Sequence, residues 1–321
     1  YESVRNKLKE LINCYSPKEV IFTSGTTDSI NRIAEGYVKK YLNSGDEILI
    51  TKAEHASNIL PWMRLSEEIG INVKYIELEN HNVTLEKVKE AITPNTKVIS
   101  LAHVTNVLGD IRPIAEIGKL CKEKNILFIV DGAQSVPHIK VDVQKMNIDF
   151  LAFSGHKMLG PTGVGVLYGK EELLEKMEPI NVGGGMNSTF TADGVCEYKS
   201  IPTRFEAGTP NIEGVIGLGS AIDYLLNIGI DNIHRHEIEL KKYFLEQAKN
   251  IENIEIYNED TESGIIAFNL KNVFSQDTAV YLNHYKICVR AGNHCAKILK
   301  DEINVKNTCR ISFYLYNTKE E

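Results

Sequence analysis

The sequence predicts an α/β protein built on a mostly parallel, seven-stranded β-sheet with helices on both faces, followed by a smaller α+β domain. Two features predict this fold. Short β-rich runs recur at the spacing of βα units, and amphipathic helical patterns lie between several of them. Past residue 180 the alternation stops at the Gly-rich segment 183–185. Because ligands of such sheets bind beyond the carboxyl ends of the strands, we expect the functional residues there.

The predicted elements follow in order along the chain. Strands of the large sheet are predicted at 20–23, 47–51, 73–78, 97–101, 126–130, 148–153 and 164–168. After the first strand, apolar residues mark one helical face: Ile30, Ile33, Ala34, Tyr37, Val38 and Tyr41. Later the pattern predicts a long helical stretch over 214–250 and strands near 264–270 and 287–290. We place the boundary within that stretch, which gives a large domain at 1–225 and a small domain at 226–321.

Composition and charge exclude several classes of function. A chain of 321 residues is longer than a single hydrophobic core usually accommodates, which supports two domains. The net charge of -7 argues against nucleic acid or an anionic membrane as the main partner. The longest apolar runs are of strand length, too short to span a bilayer.

The six cysteines lie far apart, without a C-x-x-C pair or the spacing of a zinc site, so no metal is expected. Scattered thiols are typical of the reducing cytoplasm. Four have apolar neighbours and are predicted to be small core residues: Cys14, Cys121, Cys288 and Cys309. Cys295 differs because it lies in a polar segment, where Arg290 and His294 would favour the nucleophilic thiolate; a thiol without a function is the alternative interpretation.

A lysine and an aspartate are predicted to meet at one edge of the sheet. Lys157 follows the strand 148–153 and precedes a glycine-rich turn, and Asp131 ends the strand 126–130. If these strands are parallel neighbours, both side chains lie at the same edge. An amine there can hold a planar cofactor as a Schiff base, and an acid can keep a pyridine nitrogen protonated. A structural ion pair is the alternative interpretation.

Other segments carry groups that suit a charged small molecule. The segment 24–28 opens a helix after the first strand, and the hydroxyls of Thr26 and Thr27 with free amides form a site for phosphate. The same residues are also ordinary helix caps. Arg310 begins a strand-like run and would bind a carboxylate at two points, unless it is a surface arginine. His55 follows another strand end and would lie flat against a ring.

Six motifs occur in one order over essentially the whole chain. They are Phe22-Thr23-Ser24-Gly25-Thr26-Thr27, His103-Val104-Thr105-Asn106-Val107-Leu108-Gly109, Val130-Asp131-Gly132-Ala133-Gln134, Phe153-Ser154-Gly155-His156-Lys157, Phe205-Glu206-Ala207-Gly208-Thr209-Pro210-Asn211 and Tyr316-Asn317-Thr318. Together they resemble the class V aminotransferase superfamily of fold-type I transferases dependent on pyridoxal 5'-phosphate (PLP), and within it the SufS-like (group II) cysteine desulfurases. The resemblance implies a homodimer that converts L-cysteine to alanine and passes the sulfur to an acceptor protein.

The resemblance also implies roles for individual residues. Lys157 is the lysine that binds PLP covalently, Asp131 is the partner of the ring nitrogen, and Gln134 is the partner of the phenolic oxygen. His55 resembles the histidine that stacks on the ring. Asn106 resembles the asparagine near the phenolic oxygen and the substrate carboxylate.

Further roles concern the phosphate and the substrate. The phosphate is expected to contact Thr27, Ser154 and His156, together with Thr209 reaching across a dimer interface. By resemblance, Cys295 accepts the sulfur and Arg310 binds the carboxylate of the amino acid.

The chain also departs from the family pattern. Asn293 and Ala56 stand where members usually carry histidine, and Gln276 stands where members served by a zinc-bearing carrier tend to carry histidine. The chain begins at Tyr1, without the segment that normally precedes the first motif, and it resembles a fragment with a shortened carboxyl end.

Several functions use the same cofactor chemistry. The alternatives are a selenocysteine lyase, a cysteine lyase or another class V aminotransferase. A non-catalytic scaffold that docks sulfur carriers is a further alternative, but it would not need Asp131, Gln134 and Lys157.

Overall fold

The computed structural model describes all residues, 1–321. The strands of its main sheet are β1 (Val20–Thr23), β2 (Glu47–Ile50), β3 (Asn72–Tyr75), β4 (Thr96–Ala102), β5 (Leu127–Asp131), β6 (Phe150–Ser154) and β7 (Gly165–Gly169). They lie in the order β1-β7-β6-β5-β4-β2-β3. Only β7 runs antiparallel to its neighbours, so the prediction of a mostly parallel seven-stranded sheet is confirmed.

Helices account for much of the remaining chain. They are α1 (Glu2–Ile12), α2 (Thr26–Ile33), α3 (Lys39–Tyr41), α4 (Leu60–Ile69), α5 (Leu85–Ala91), α6 (Ile114–Lys124), α7 (Glu171–Leu174), α8 (Ile212–Ile228), α9 (Ile230–Ala248), α10 (Ser275–His284) and α11 (Lys300–Ile303). A π-helical turn, Ala34–Val38, joins α2 to α3. None of these helices has the length and apolar character required to cross a membrane.

The main sheet is buried between two hydrophobic cores. Along β5, Phe128 and Val130 belong to a core of 36 residues, whereas Ile129 belongs to a second core of 20 residues. Successive side chains of a strand point to opposite faces, so the two cores lie on opposite sides of the sheet. Helices α1, α5, α6 and α8 contribute to the first core, and α2 and α4 contribute to the second. Helices therefore cover both faces, as predicted.

The carboxyl-terminal part contains a separate antiparallel sheet in the order β10-β11-β13-β12. Its strands are β10 (Ile254–Ile256), β11 (Ile265–Leu270), β12 (Arg290–Gly292) and β13 (Thr308–Ser312), and a hairpin of β8 (Asn187–Phe190) and β9 (Cys196–Tyr198) precedes it. The helical stretch predicted over 214–250 is interrupted at Gly229, whose φ is 88°. The domain boundary at 225 stays a prediction.

Two residues expected on buried faces are exposed. Cys288 has apolar neighbours, but the segment between α10 and β12 lies on the surface, so both Cys288 and adjacent Ile287 are exposed. Tyr41 is exposed at the end of α3, where the helix leaves the core. Cys14, Cys121 and Cys309 are buried as predicted, and all six cysteines are unpaired.

Gly165, at the start of β7, is required by close packing against the loop before α2. A Cβ at Gly165 would lie 2.4 Å from Gly25 Cα and 2.8 Å from Phe153 O. Both are backbone atoms, so they cannot move aside without distorting the chain. We expect Gly165→Ala to lower the free energy of unfolding by about 1–3 kcal/mol. Urea denaturation measures this, with Gly184→Ala as the control because a Cβ there meets open space. Equal stability of the two variants would contradict the close packing.

Candidate active site

A cavity of about 310 Å³ lies at the carboxyl edge of the main sheet. Its lining residues come from both parts of the chain: Thr26, Thr27, His55, Ser57, Ala102, Val104, Asn106, Asp131, Ala133, Gln134, Ser154, His156, Lys157, Arg290 and Arg310. The structure thus brings together every predicted site residue except Cys295 and Thr209. Thr209 is exposed and does not line this cavity, and its proposed role across a dimer interface stays a prediction.

Hydroxyl groups and a helix start converge at one end of the cavity. Thr26 begins α2, and its backbone N and Oγ1 lie 2.8 Å and 2.7 Å from Ser154 Oγ. Thr27 Oγ1 lies 2.7 Å from Ser57 Oγ. The chain enters the helix through Gly25, whose φ of 151° is open to glycine and rare for other residues. Hydroxyls beside the unpaired amides of a helix start suit a phosphate group.

Asp131 provides a buried acid at the end of β5. The parallel pairing of β5 with β6 places Asp131 opposite Ala152, five residues before Lys157 in the sequence. Asp131 Oδ1 accepts a hydrogen bond of 2.9 Å from Ala133 N. Burial raises the pKa of Asp131 to about 6, and the positive charge of Lys157 opposes that rise. The carboxylate therefore stays largely ionised at neutral pH and can hold a pyridinium N–H.

Lys157 lies in the turn Gly155–Lys157 that follows β6. Burial is the main cause that lowers the pKa of its amine; Asp131 opposes this effect, and Arg310 and Arg290 add to it. A lowered pKa increases the fraction of uncharged amine, which is the nucleophilic form.

His55 lines the cavity as a neutral ring. Burial, followed by the charges of Lys157, Arg290 and Arg310, lowers the pKa of His55 to about 4. Ser57 N donates a hydrogen bond of 3.1 Å to His55 Nδ1, which requires that nitrogen to be unprotonated. A neutral imidazole can stack on an aromatic ring without adding charge to it.

A buried ion pair that the sequence analysis missed supports the loops on this side. Arg112 donates to Glu54, to Ala102 O at 3.3 Å and to Thr51 Oγ1 at 2.9 Å. Glu54 also accepts a hydrogen bond of 2.7 Å from Ala102 N. The pair therefore joins the loop that carries His55 to the end of β4. Nothing in the sequence separates Arg112 from a surface arginine, because its burial arises only in the folded chain.

Two arginines form the opposite wall. Arg290 in β12 and Arg310 in β13 are paired in register, so both guanidinium groups line the cavity. Burial, with repulsion from Arg290, lowers the pKa of Arg310 to about 10, which leaves it charged at neutral pH. Arg310 Nη1 donates to Asn106 O at 2.7 Å, while its buried Nε has no partner within the protein. Two cations with an unpaired donor suit a carboxylate ligand.

Cys295 lies beside the cavity and is exposed. Arg290, a lining residue, donates from Nη2 to Cys295 Sγ at 3.4 Å, so this cation is placed to stabilise a negatively charged sulfur. The expectation that His294 shares this task is wrong. His294 is buried, and burial together with Arg310 and Arg290 lowers its pKa to about 4, so the ring carries no charge.

The donor set fits PLP. The hydroxyls of Thr26 and Ser154 suit a phosphate, the Asp131 carboxyl suits a protonated ring nitrogen, and the Lys157 amine suits an aldehyde, and all four residues line one cavity. The buried Oδ1 of Asn106 has no partner within the protein and can receive a hydrogen bond from a ligand.

Replacing Asp131 by asparagine is expected to stabilise the cofactor-free protein at pH 8. The pKa of this carboxyl is about 6 in the folded chain, against an ordinary value of 3.8. Its ionisation therefore costs folding free energy above pH 6, and the cost disappears as the pH falls from 6 towards 4. We expect a gain of about 1–2 kcal/mol at pH 8 and almost none at pH 4. Urea denaturation at both pH values measures it, with exposed Asp301→Asn as the control; a loss of stability at pH 8 would overturn the expectation.

Comparison with known proteins identifies the family. The family model "Aminotransferase class-V" matches residues 1–321. A probable cysteine desulfurase of Halalkalibacterium halodurans is 46% identical over 322 residues, which cover all of this chain and 79% of that protein. The solved structures of the cysteine desulfurase CsdA of Escherichia coli and of a cysteine desulfurase of Thermococcus onnurineus NA1 superpose with TM-scores of 0.97 and 0.95, at 37% and 38% identity. Each match covers the whole of this chain and 80% of the solved chain. The chain belongs to the class V aminotransferase family and has the fold of its cysteine desulfurases.

Proposed function

We propose that the protein is a PLP-dependent cysteine desulfurase, which converts L-cysteine to L-alanine and takes the sulfur as a persulfide on Cys295. One observation carries the proposal. A single cavity combines the acid Asp131 and the amine Lys157 with two arginines, and the thiol of Cys295 lies at its rim. The names of the relatives support the same activity.

PLP, when bound, supplies an electron-withdrawing ring that makes the Cα proton of an amino acid easier to remove. Its phosphate would contact Thr26, Thr27, Ser154 and His156. Asp131 would keep the ring nitrogen protonated, Gln134 would bind the phenolic oxygen, and His55 would lie against the ring.

The residues of this chain perform the remaining tasks. The Lys157 amine, whose pKa is lowered by burial, takes the Cα proton of cysteine. Arg310 binds the substrate carboxylate and so directs the substrate thiol towards Cys295. The Cys295 thiolate attacks the substrate sulfur, so an S–S bond forms as the Cβ–S bond breaks. The electron pair of that bond stays with the carbon skeleton, which is protonated to give alanine.

The cellular setting belongs to the same proposal. We expect a cytoplasmic homodimer, in which Thr209 of one chain reaches the phosphate site of the other. The persulfide sulfur would pass to an acceptor protein for iron–sulfur cluster assembly or another sulfur transfer.

Variants of the two reactive residues test the mechanism. We expect Cys295→Ala to retain PLP but to lose formation of alanine from cysteine, and of sulfide when dithiothreitol is added to reduce the persulfide, because no other thiol lies at the cavity. Lys157→Ala should lose the cofactor adduct that borohydride otherwise fixes on this lysine, which mass spectrometry detects. Exposed Cys196→Ala is the matched control. Full desulfuration by Cys295→Ala would refute the assigned nucleophile.

The products distinguish the alternative activities. Alanine with a persulfide indicates a desulfurase, pyruvate with ammonia indicates a cysteine lyase, and a keto acid indicates an aminotransferase. Parallel assays with selenocysteine identify a selenocysteine lyase, and absence of bound PLP from the purified protein would support a scaffold.

Arg310→Lys tests the carboxylate site. A lysine keeps the charge but loses the two-point contact, so we expect KM for cysteine to rise roughly 10- to 100-fold, with a smaller change in kcat. Steady-state kinetics of alanine formation measure both constants. Arg235→Lys, at an exposed position without a salt bridge, should leave both unchanged. An unchanged KM in Arg310→Lys would mean that another residue binds the carboxylate.

A further inference from the structure

Cys295 lies in a tight turn whose two central residues adopt a conformation that most residues avoid. Residues 293–296 form this turn, closed by a hydrogen bond of 2.8 Å from Ala296 N to Asn293 O. The φ angles of the central residues His294 and Cys295 are 52° and 61°. Two positive φ angles in succession are the pattern of a type I′ turn, in which Gly, Asn and Asp dominate because a larger side chain is strained there. Contacts beyond local preference must therefore hold His294 and Cys295 in place.

Three further hydrogen bonds hold this turn. Asn293 Oδ1 accepts a bond of 3.1 Å from Cys295 N. Asn106 Nδ2 donates a bond of 2.7 Å to His294 O, and Ala56 N donates a bond of 2.8 Å to Cys295 O. The last two donors belong to loops at the edge of the large sheet, whereas the first bond lies within the turn itself.

The side chain of His294 is buried and hydrogen-bonded, whereas the side chain of Cys295 is exposed. The His294 ring is buried, and its Nε2 lies 3.0 Å from Thr308 O and 2.9 Å from Thr308 Oγ1. The Cys295 side chain is exposed, and its only side-chain partner is Arg290. The strained conformation thus fixes the backbone of Cys295 and presents the sulfur next to the Arg290 guanidinium.

We propose that Asn293 is a positioning residue, whose side-chain oxygen holds Cys295 in the turn and keeps its sulfur against Arg290. The Asn293 side-chain oxygen is bonded to Cys295 N, and Asn293 does not line the cavity, so we assign its effect to the position of Cys295. This inference rests on the proposed function in one respect: the proposed function makes Cys295 the residue that accepts the sulfur. Asn293 and Ala56, the two departures from the family pattern at this site, both bond the backbone of Cys295.

The test compares Asn293→Ala, which removes the acceptor, with Asn293→Asp, which keeps it. We expect kcat for alanine formation to fall roughly tenfold in the alanine variant, the effect of losing one hydrogen bond, with KM for cysteine unchanged. The aspartate variant should recover most of this loss. Asn304→Ala is the matched control, because Asn304 is also exposed with a positive φ of 54° but lies outside the turn.

A second measurement does not depend on turnover. Peptide mass spectrometry gives the rate at which iodoacetamide alkylates Cys295 in the holoenzyme without cysteine, with exposed Cys196 and Cys288 as internal references. We expect alkylation of Cys295 alone to slow roughly tenfold in Asn293→Ala, because its sulfur leaves Arg290. If Asn293→Ala had the same kcat and the same Cys295 alkylation rate as the unsubstituted protein, the positioning role would be overturned. An active Cys295→Ala variant would instead overturn the proposed function.

Discussion

The active site depends on the parallel pairing of β5 with β6. This pairing brings Asp131 and the turn that carries Lys157 to one edge of the sheet, where both groups are withdrawn from water. Burial raises the pKa of Asp131 and lowers the pKa of Lys157. The opposite charge of the partner residue reduces each of these two shifts. Without a ligand, the edge therefore holds two groups whose charged forms are both poorly solvated. A cofactor that pairs with the acid and bonds to the amine relieves both costs at once.

The loop 103–109 connects that edge to the small sheet. Asn106 accepts a hydrogen bond from Arg310 through its backbone oxygen and donates one to His294 O through its side chain. Asn258 Nδ2 donates to Leu108 O at 2.6 Å, which adds a further link between the two parts of the chain. Arg310 and the turn that contains Cys295 are thus both bonded to the loop that forms one wall of the cavity. Movement of this loop would displace Arg310 and the turn of Cys295 together.

Sequence reasoning predicted the features that depend on local patterns. The strands of the large sheet were predicted to within a few residues, because βα spacing and apolar runs are local properties. The shared edge of Asp131 and Lys157 followed from strand ends and the handedness of crossovers. The buried Glu54–Arg112 pair could not be predicted, since both residues have ordinary surface composition in the sequence. The positive φ of Cys295 could not be predicted from the sequence either, because contacts with residues distant in sequence impose it.

The wrong prediction for His294 shows that burial decides which side chains of this site keep a positive charge. An imidazole removed from water loses its proton easily, and the pKa values of both His55 and His294 fall to about 4. A guanidinium starts from a much higher pKa, so Arg310 remains charged although burial lowers its value to about 10. Near neutral pH Arg310 therefore adds positive charge to the cavity, whereas His55 and His294 do not. The histidines supply shape and hydrogen bonds, and Arg290 is the cation that contacts the sulfur of Cys295. Substitution of histidine for either arginine would keep a nitrogen donor but lose the charge, and with it the attraction for a carboxylate or a thiolate.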